Sequence, residues 1–419
     1  MRKSLLAAVL SLALVGQAAA TPWHDLGPRA MAMGGTGVAM AQGPLASYWN
    51  PAGLGQQYGT SGLIFPAVGI RFEATGTVLE GANDINEINK ACERTDATIC
   101  TTANLTDALN RFGEPGNGAM VDFGSSLAYR HSPWRATFFV QNLTYIGVRP
   151  SVDPNGVVVN GTTIANDSAI HLRGGNFTEI GVGYAHEIME TGLVFGLNLK
   201  GIIGRTGFAA IILKNQDTGN GGFGDFDNNT ASSFQPGIDA GVLWDMRETF
   251  DGIPMRPRIG IVGRNLNNPK FTNPGAATLV GEPSKLSVQG QARAGFALSP
   301  MKFWHLSADF DLTENLTLID GFNTRYAGVG TEINLINRPR FNLPFRAGIK
   351  KNLANTASGV SYTAGLGLNF FHFTIDIAGQ ISTKRTSIQT KGTSEKIPNS
   401  AAASLQLGFL FGNKDEGAR

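Results

Sequence analysis

The strongest constraint on the fold is a strict alternation of apolar and polar residues, which recurs in many separate segments of the chain. In residues 371–381, nearly every second position is apolar, and the positions between are mostly polar. The apolar residues of this segment are Phe371, Phe373, Ile375, Ile377 and Ile381. Because alternate residues of a β-strand point to the same face of a sheet, the pattern predicts strands with one apolar and one polar face.

Comparable segments bring the predicted number of strands to about fourteen. They lie at 62–74, 119–131, 135–147, 177–187, 193–201, 236–247, 256–266, 286–298, 303–313, 323–335, 343–352, 359–370 and 401–411, besides 371–381. Bacterial outer-membrane barrels have an even number of antiparallel strands of about this length. A soluble β-sandwich also alternates, but it rarely has so many long strands with aromatic residues near their ends. We therefore predict an all-β fold, a transmembrane outer-membrane β-barrel over residues 58–411.

The first twenty residues have the three parts of a secretory signal peptide. Arg2 and Lys3 form the positive end, an apolar run follows, and small residues at Ala18 and Ala20 form the cleavage site. We expect the mature chain to begin at Thr21 and to reach the cell outer membrane, with outer-membrane lipid as a partner. Removal of two of the 34 Lys and Arg leaves a formal charge of zero against 32 Asp and Glu. This balance does not indicate a nucleic-acid partner.

The longest gap between predicted strands, 78–117, has no alternation of period two. Its apolar residues recur at helical separations, at Ile85, Ile88, Leu105 and Leu109, which predicts a short helical insertion. The insertion contains the two cysteines of the chain, Cys92 and Cys100. We expect a structural disulfide between them, because an exported chain can be oxidised. The alternative, a redox role, lacks the C-x-x-C spacing.

Charged residues on the polar faces of the strands should point into the barrel. They are Lys200, Arg293, Asp309, Asp311, Glu332, Arg346, Lys350 and Asp376. On the lipid side, an Arg or Lys at mid-membrane depth would cost about 2–4 kcal/mol. Two roles stay open for these residues: neutralising pairs that hold a packed or water-filled interior, or the lining of a solute path.

Motifs of enzymes and cofactor sites are missing from the sequence. G-x-S-x-G, H-E-x-x-H and Walker A patterns are absent, and GGTGVAM at 34–40 lacks the G-x-G-x-x-G spacing. We therefore predict no enzyme activity, no cofactor and no metal site. In GDFDNNT, Asp225, Asp227 and Asn229 have the spacing of a calcium loop, but the later glycine and glutamate are missing. We predict a mobile polar outer loop there, with calcium binding as the alternative, and a polar tail at 412–419.

The stretch RAMAMGGTGVAMAQGPLASYWNPAGLG, at 29–55, has side chains too small for a lipid-facing strand. Its distinctive residues are Gly34, Gly35, Gly37, Asn50, Pro51, Ala52 and Gly53. A barrel of fourteen strands encloses a lumen that must be filled or left to conduct. Proline fixes one dihedral angle and asparagine caps its own turn, which suits a compact segment. We predict that residues 21–57 form a plug, or hatch, in the lumen; the alternative is a periplasmic lead-in.

These residues also carry a resemblance to known families. MGGTGVA followed by WNPAG is similar to the hatch of the FadL-like superfamily, outer-membrane channels for long-chain fatty acids and aromatic hydrocarbons, in which Asn50, Pro51 and Ala52 would match the NPA motif. Over nearly the whole chain, segments such as GIVGRNLNNP, LSADFDLTEN and FRAGIKKNL resemble the TraF-type (conjugal transfer) outer-membrane β-barrel family. That resemblance implies a role in conjugation or envelope assembly, with envelope or secretion components as partners. The alternative is a FadL-like passive channel with a hydrophobic small molecule as its partner.

Overall fold

A computed structural model describes residues 21–56, 61–153, 158–160, 163–165, 168–212, 223–338, 340–355, 358–390 and 393–411. The predicted signal peptide at 1–20 and the polar tail at 412–419 lie outside these residues. Fourteen antiparallel strands form one closed barrel, so the predicted fold class is confirmed. In chain order they are β1 Ser61–Thr75, β2 Gly118–His131, β3 Ala136–Ser151, β4 Ala169–Glu187, β5 Leu193–Ile212, β6 Thr230–Asp245, β7 Arg258–Arg264, β8 Gln291–Met301, β9 Trp304–Asp311, β10 Tyr326–Arg338, β11 Phe341–Asn352, β12 Val360–Phe370, β13 Phe373–Ser382 and β14 Ser400–Phe411.

The alternation of the sequence becomes the two faces of the barrel wall. In β13 the side chains of Phe373, Ile375 and Ile377 are 61%, 45% and 51% exposed, whereas Thr374 and Asp376 are buried. The exposed side chains form the outer, lipid-facing surface, because large apolar groups on a barrel wall are stable only against hydrocarbon. The polar residues between them therefore point into the lumen.

The wall closes where the two ends of the barrel chain meet. β1 pairs with β14 from Ser61 to Glu73. The wall is lower on the opposite side, because β7 has only seven residues and pairs with β6 from Ala240 to Asp245. Beyond that point a connecting segment takes the place of a strand, and the Leu266 amide donates to the Ile238 carbonyl at 2.9 Å.

The two ends of the barrel differ in their connections. Short turns join β2 to β3, β4 to β5, β8 to β9, β10 to β11 and β12 to β13 at one end, which we call the short-turn end. Long connections lie at the other, which we call the long-loop end. The α-helices of the described residues are α1 Pro28–Ala32, α2 Ala46–Trp49, α3 Val78–Glu93, α4 Thr102–Phe112, α5 Phe223–Asn228, α6 Met246–Thr249 and α7 Gly275–Leu279. None of them is long and apolar enough to cross a membrane.

The predicted helical insertion consists of two helices, α3 and α4. Their buried apolar residues form a hydrophobic cluster of their own: Ile85, Ile88, Leu105 and Leu109 belong to it, together with Phe112. The Sγ atoms of Cys92 and Cys100 are bonded to each other between the helices. The pair α3 and α4 also contacts the hairpin formed by Arg385–Thr390 and Thr393–Pro398, where the Thr386 hydroxyl donates to Glu80 at 2.9 Å.

One local expectation differs from the structure. GDFDNNT was expected to form a mobile polar outer loop, but its first part lies in the short helix α5. Phe226 accounts for the difference, because its ring lies against the backbone of Gly207 in β5. An aromatic ring thus packs this helix against the wall, which the polar composition did not indicate.

Candidate functional site: the N-terminal segment within the barrel

Residues 21–56, the N-terminal segment, lie within the ring of strands. Almost all of their side chains are buried. Their hydrogen bonds reach strands around most of the wall, from Arg130 in β2, which donates to the Leu54 carbonyl at 2.8 Å, to Thr363 in β12, which donates to the Ala32 carbonyl at 2.7 Å. A segment bonded to strands on opposite sides of a barrel must occupy its lumen.

Three aromatic rings hold the N-terminal segment together. The ring centroids of Trp23, Tyr48 and Trp49 lie 5.6–6.3 Å apart, the spacing of favourable aromatic pairs. The polar groups of Tyr48 and Trp49 both donate to backbone carbonyls near the start of the segment. The Tyr48 hydroxyl donates to the His24 carbonyl at 2.6 Å, and the Trp49 indole donates to the Leu26 carbonyl at 2.9 Å. The two halves of the segment are therefore joined into one compact body.

The Gly34–Gly35 turn allows the segment to approach the wall closely. Both glycines have φ of +76°, a conformation that other residues rarely adopt. The wall contributes glycines of its own at this place. A Cβ atom on Gly330 would lie 2.2 Å from the Met33 carbonyl, and one on Gly348 would lie 2.4 Å from the Gly34 amide. Glycines on both surfaces thus let two backbones touch.

Asp309 binds the segment just after this turn. One carboxylate oxygen accepts from the backbone amides of Gly37 at 2.7 Å and Val38 at 3.0 Å. Arg293 contacts the same region from β8, where it donates to the Gly35 carbonyl at 3.2 Å and pairs with Asp311. Two of the predicted inward charges therefore bind backbone groups of the segment directly.

Ion pairs anchor the start of α1 and the residues that precede it. Lys350 in β11 pairs with Asp25. Arg29 in α1 pairs with Glu332 in β10 at 2.9 Å, and Glu332 also accepts from Arg346 at 2.6 Å. Arg346 in turn binds Asp376. Each pair is buried or half-buried, and removing one partner of a buried pair typically costs about 3–5 kcal/mol.

Lys200 belongs to a cluster within the wall. Its ammonium group lies 3.0 Å from both Glu179 and Asp239. Arg264 adds a second cation 3.5 Å from Glu179 and stacks over the Tyr48 ring with its guanidinium carbon 4.0 Å from the ring centroid. This cluster connects four wall strands, β4 to β7, to the aromatic core of the segment.

Asn50, Pro51 and Ala52 lie where the segment turns back to β1. The Asn50 side chain is fully buried; it accepts from the Ala52 amide at 3.1 Å and donates to the carbonyls of Val38 and Val242. Pro51 begins the 3-10 helix Pro51–Gly55. One side chain thus caps a turn, joins two parts of the segment and binds β6.

A cavity of about 930 Å³ opens between the segment and the short-turn end. Of the described residues, seven Arg and Lys side chains and two carboxylates line it. The cationic residues are Arg29, Arg247, Arg256, Arg258, Lys302, Arg338 and Arg346, and the carboxylates are Glu332 and Asp376. We call this cavity the vestibule.

Sequence reasoning did not identify several residues that hold the segment. Asp25 and Arg29, which pair with the wall, were missed because that stretch was read for its glycines. The pair Arg71–Asp122, which lies within the wall between β1 and β2, was missed as well. His24 is fully buried, and that burial lowers the pKa of its imidazole to about 4. Alternation marks inward-facing residues of strands, so only the Arg71–Asp122 pair could have been found from it. Among the described residues, no group of His, Cys, Asp and Glu has the arrangement of a metal site.

Two solved structures similar to this barrel are described as a hydrocarbon channel and a toluene transporter. The TodX monoaromatic hydrocarbon channel deltaS2 mutant has a TM-score of 0.53 and 12% identity, over 93% of this chain and 100% of that chain. The Ralstonia pickettii toluene transporter TbuX has a TM-score of 0.50 and 14% identity, over 92% and 98% of the two chains. At such identities the likeness shows the fold alone, that of outer-membrane barrels. A search of curated proteins gave no match.

The family of the chain follows from its sequence match. The model of the family described as "F plasmid transfer operon, TraF, protein" matches residues 47–311, more than half of the chain. The matched region begins in α2, includes the Asn50–Pro51 turn and extends to the end of β9. This outer-membrane β-barrel therefore belongs to the TraF family of the F plasmid transfer operon.

Proposed function

We propose that the protein is a passive outer-membrane channel for small hydrophobic molecules and that residues 21–56 act as its plug. The observation that carries this proposal is the attachment of the segment to the wall by separate polar contacts rather than by a continuous strand ladder. Individual hydrogen bonds and ion pairs can be exchanged for others when the segment shifts, whereas a ladder would have to be broken as a whole. The short-turn end would face the periplasm, as in other bacterial barrels.

The interior next to the plug supports a hydrophobic cargo. On the long-loop side of the segment the lumen contains buried apolar side chains, with the rings of Phe177 and Phe271 4.9 Å apart and Tyr145 beside them. Such surroundings favour transfer of an apolar solute out of water by about 25 cal/mol for each Å² buried. The solved channels with this fold are named for toluene and monoaromatic hydrocarbons.

Uptake into asymmetric vesicles tests the proposal. Vesicles with lipopolysaccharide in the outer leaflet resist apolar solutes, and the protein would be inserted to carry labelled toluene or labelled oleate across. We expect uptake well above that of protein-free vesicles. Replacing Asn50 and Pro51 together by alanine should change the rate at least threefold, because the plug loses its bond to β6. Asn104→Ala, in the exposed helix α4, is the matched control and should leave the rate unchanged; equal uptake with and without protein would contradict the proposal.

A second candidate function is a role in conjugation or envelope assembly. The family match favours it, since the family is named for a plasmid transfer operon. The test is the frequency of plasmid transfer from donor cells that lack this protein, compared with the same cells complemented by it. A drop of tenfold or more that complementation restores would support this role, and an unchanged frequency would exclude a necessary one.

A further inference from the structure

Arg258, the first residue of β7, is a buried cation without a carboxylate of its own. Its side chain is 6% exposed and lines the vestibule. One guanidinium nitrogen contacts the Met40 sulfur at 3.0 Å, a weak acceptor, and the Nε atom has no hydrogen-bond partner among the described residues. An isolated buried charge is strongly unfavourable unless an opposite charge reaches it.

The carboxylates nearest to Arg258 are already engaged by other arginines. Asp245 and Glu332 act on it electrostatically, as do two further cations, Arg256 and Arg29. Asp245 pairs with Arg256 at 2.8 Å. Glu332 pairs with Arg29 and, from β11, with Arg346. Each of these carboxylates therefore already pairs with another arginine, and no described carboxylate forms an ion pair with Arg258.

The other walls of the vestibule suit the body of a small organic molecule. Apolar side chains face it from the segment and from the wall, among them Met40, Leu45, Trp49 and Ile64. Asn334, Asn342 and Gln406 add neutral polar groups to its lining. A volume of about 930 Å³ lies within the range of small-molecule sites, about 300–1,000 Å³.

We propose that the vestibule is a binding site for a small oxyanion, a carboxylate or phosphate group, with Arg258 as its anchor. The group would occupy the space beside the Arg258 guanidinium and supply the missing negative charge, while any apolar body would rest against Met40 and Trp49. Arg forms paired hydrogen bonds with carboxylate and phosphate oxygens, which distinguishes the site from a general attraction for anions. The inference does not depend on the proposed transport function.

Titration calorimetry of the full-length protein in a neutral detergent tests this site. The probes are inorganic phosphate and benzoate, each against sodium chloride at equal ionic strength. We expect saturable binding of at least one probe, and at least tenfold weaker binding by Arg258→Met. Binding of phosphate alone would indicate a phosphate ligand, and binding of benzoate alone a carboxylate with an apolar body. Arg111→Gln, at an ion pair on the surface of α4, is the matched control and should bind as the wild type does.

A second measurement separates a lost site from a misfolded variant. Since Arg258→Met removes an unbalanced buried charge and keeps a side chain of similar length, the variant should melt at the same or a higher temperature without the probe. The probe should raise the melting temperature of the wild type but not that of the variant. Absence of saturable binding by the wild type, or equal affinity of Arg258→Met for the probe, would overturn the proposal.

Discussion

Replacement of Asp309 by alanine should release the N-terminal segment from the wall. The carboxylate accepts hydrogen bonds from two backbone amides of the segment, those of Gly37 and Val38. Hydrogen bonds to a charged group contribute about 1.5–3 kcal/mol each, so the two together contribute about 3 kcal/mol at the lower end of that range. We use the lower end because burial of the carboxylate itself has a cost. A loss of about 3 kcal/mol raises the undocked population about a hundredfold.

The rate of thiol labelling measures this population. Ser47→Cys places a thiol at a position that is 2% exposed, and the native cysteines are bonded to each other. If the segment docks and undocks quickly, the rate of maleimide labelling is proportional to the undocked fraction. Asp309→Ala should therefore raise the rate about a hundredfold.

The matched control for this experiment is Asp122→Asn. Asp122 is also a buried, inward-facing aspartate, but it accepts hydrogen bonds from Arg71 in the neighbouring strand. Asp122→Asn should change the labelling rate less than tenfold, since the bonds to the segment remain. If Asp309→Ala labelled no faster than Asp122→Asn, Asp309 would not hold the segment and our assignment of its role would be wrong.

Three further predictions concern the same segment and the insertion. Gly348→Ala should accelerate Ser47→Cys labelling, because the added methyl group would overlap the Gly34 amide, whereas Gly379→Ala, with its nearest neighbour 3.9 Å away, should not. Acidification from pH 7 to pH 5 should weaken docking by about 2 kcal/mol, since the pKa of His24 is about 4 when docked and about 6.5 when exposed, so that protonation favours the undocked state between these values. In His24→Gln, the labelling rate should no longer rise between pH 7 and pH 5 through protonation of this residue. If the variant kept the pH dependence of the wild type, His24 would not be its cause. Reduction of the disulfide should destabilise α3 and α4 by about 2–3 kcal/mol, seen as faster proteolysis between them, and leave the melting of the barrel unchanged.

The strands could be predicted from the sequence because alternation is a local signal. Whether a face meets lipid depends only on residues two apart, so the strand number and the inward-facing charges were accessible. The boundaries of the strands were harder to predict. β8 was expected to begin near residue 286, but Lys285–Ser287 pairs with Lys270–Thr272 and the strand begins at Gln291. β4 begins earlier than expected, at Ala169, because glycines and inward-facing polar residues interrupt the alternation there.

The partners of the inward charges could not be predicted from the sequence. Arg29 and Glu332 are separated by 303 residues, and Asp25 and Lys350 by 325. Pairing at such separations depends on the closure of the barrel and on the depth at which the segment lies. The role of Gly330 and Gly348 in the wall was missed for a related reason. A glycine is needed at these positions because the backbone of the segment lies against them, and the sequence does not show that contact.

Because β7 is short, the wall is held by fewer strand-to-strand hydrogen bonds between β6 and β7 than between β1 and β14, where the barrel closes. β1 and β14 are paired from Ser61 to Glu73, although the two strands come from opposite ends of the barrel sequence. The pairing between β6 and β7 covers only Ala240–Asp245 of β6. Toward Thr230, isolated contacts with a loop replace it, such as the hydrogen bond from the Leu266 amide to the Ile238 carbonyl. Lateral tension in the membrane should therefore part the wall between β6 and β7 before it separates the chain ends. The amides of β6 between Thr230 and Asp239 that do not bond to β5 should exchange their hydrogens before the amides of β1 that bond to β14.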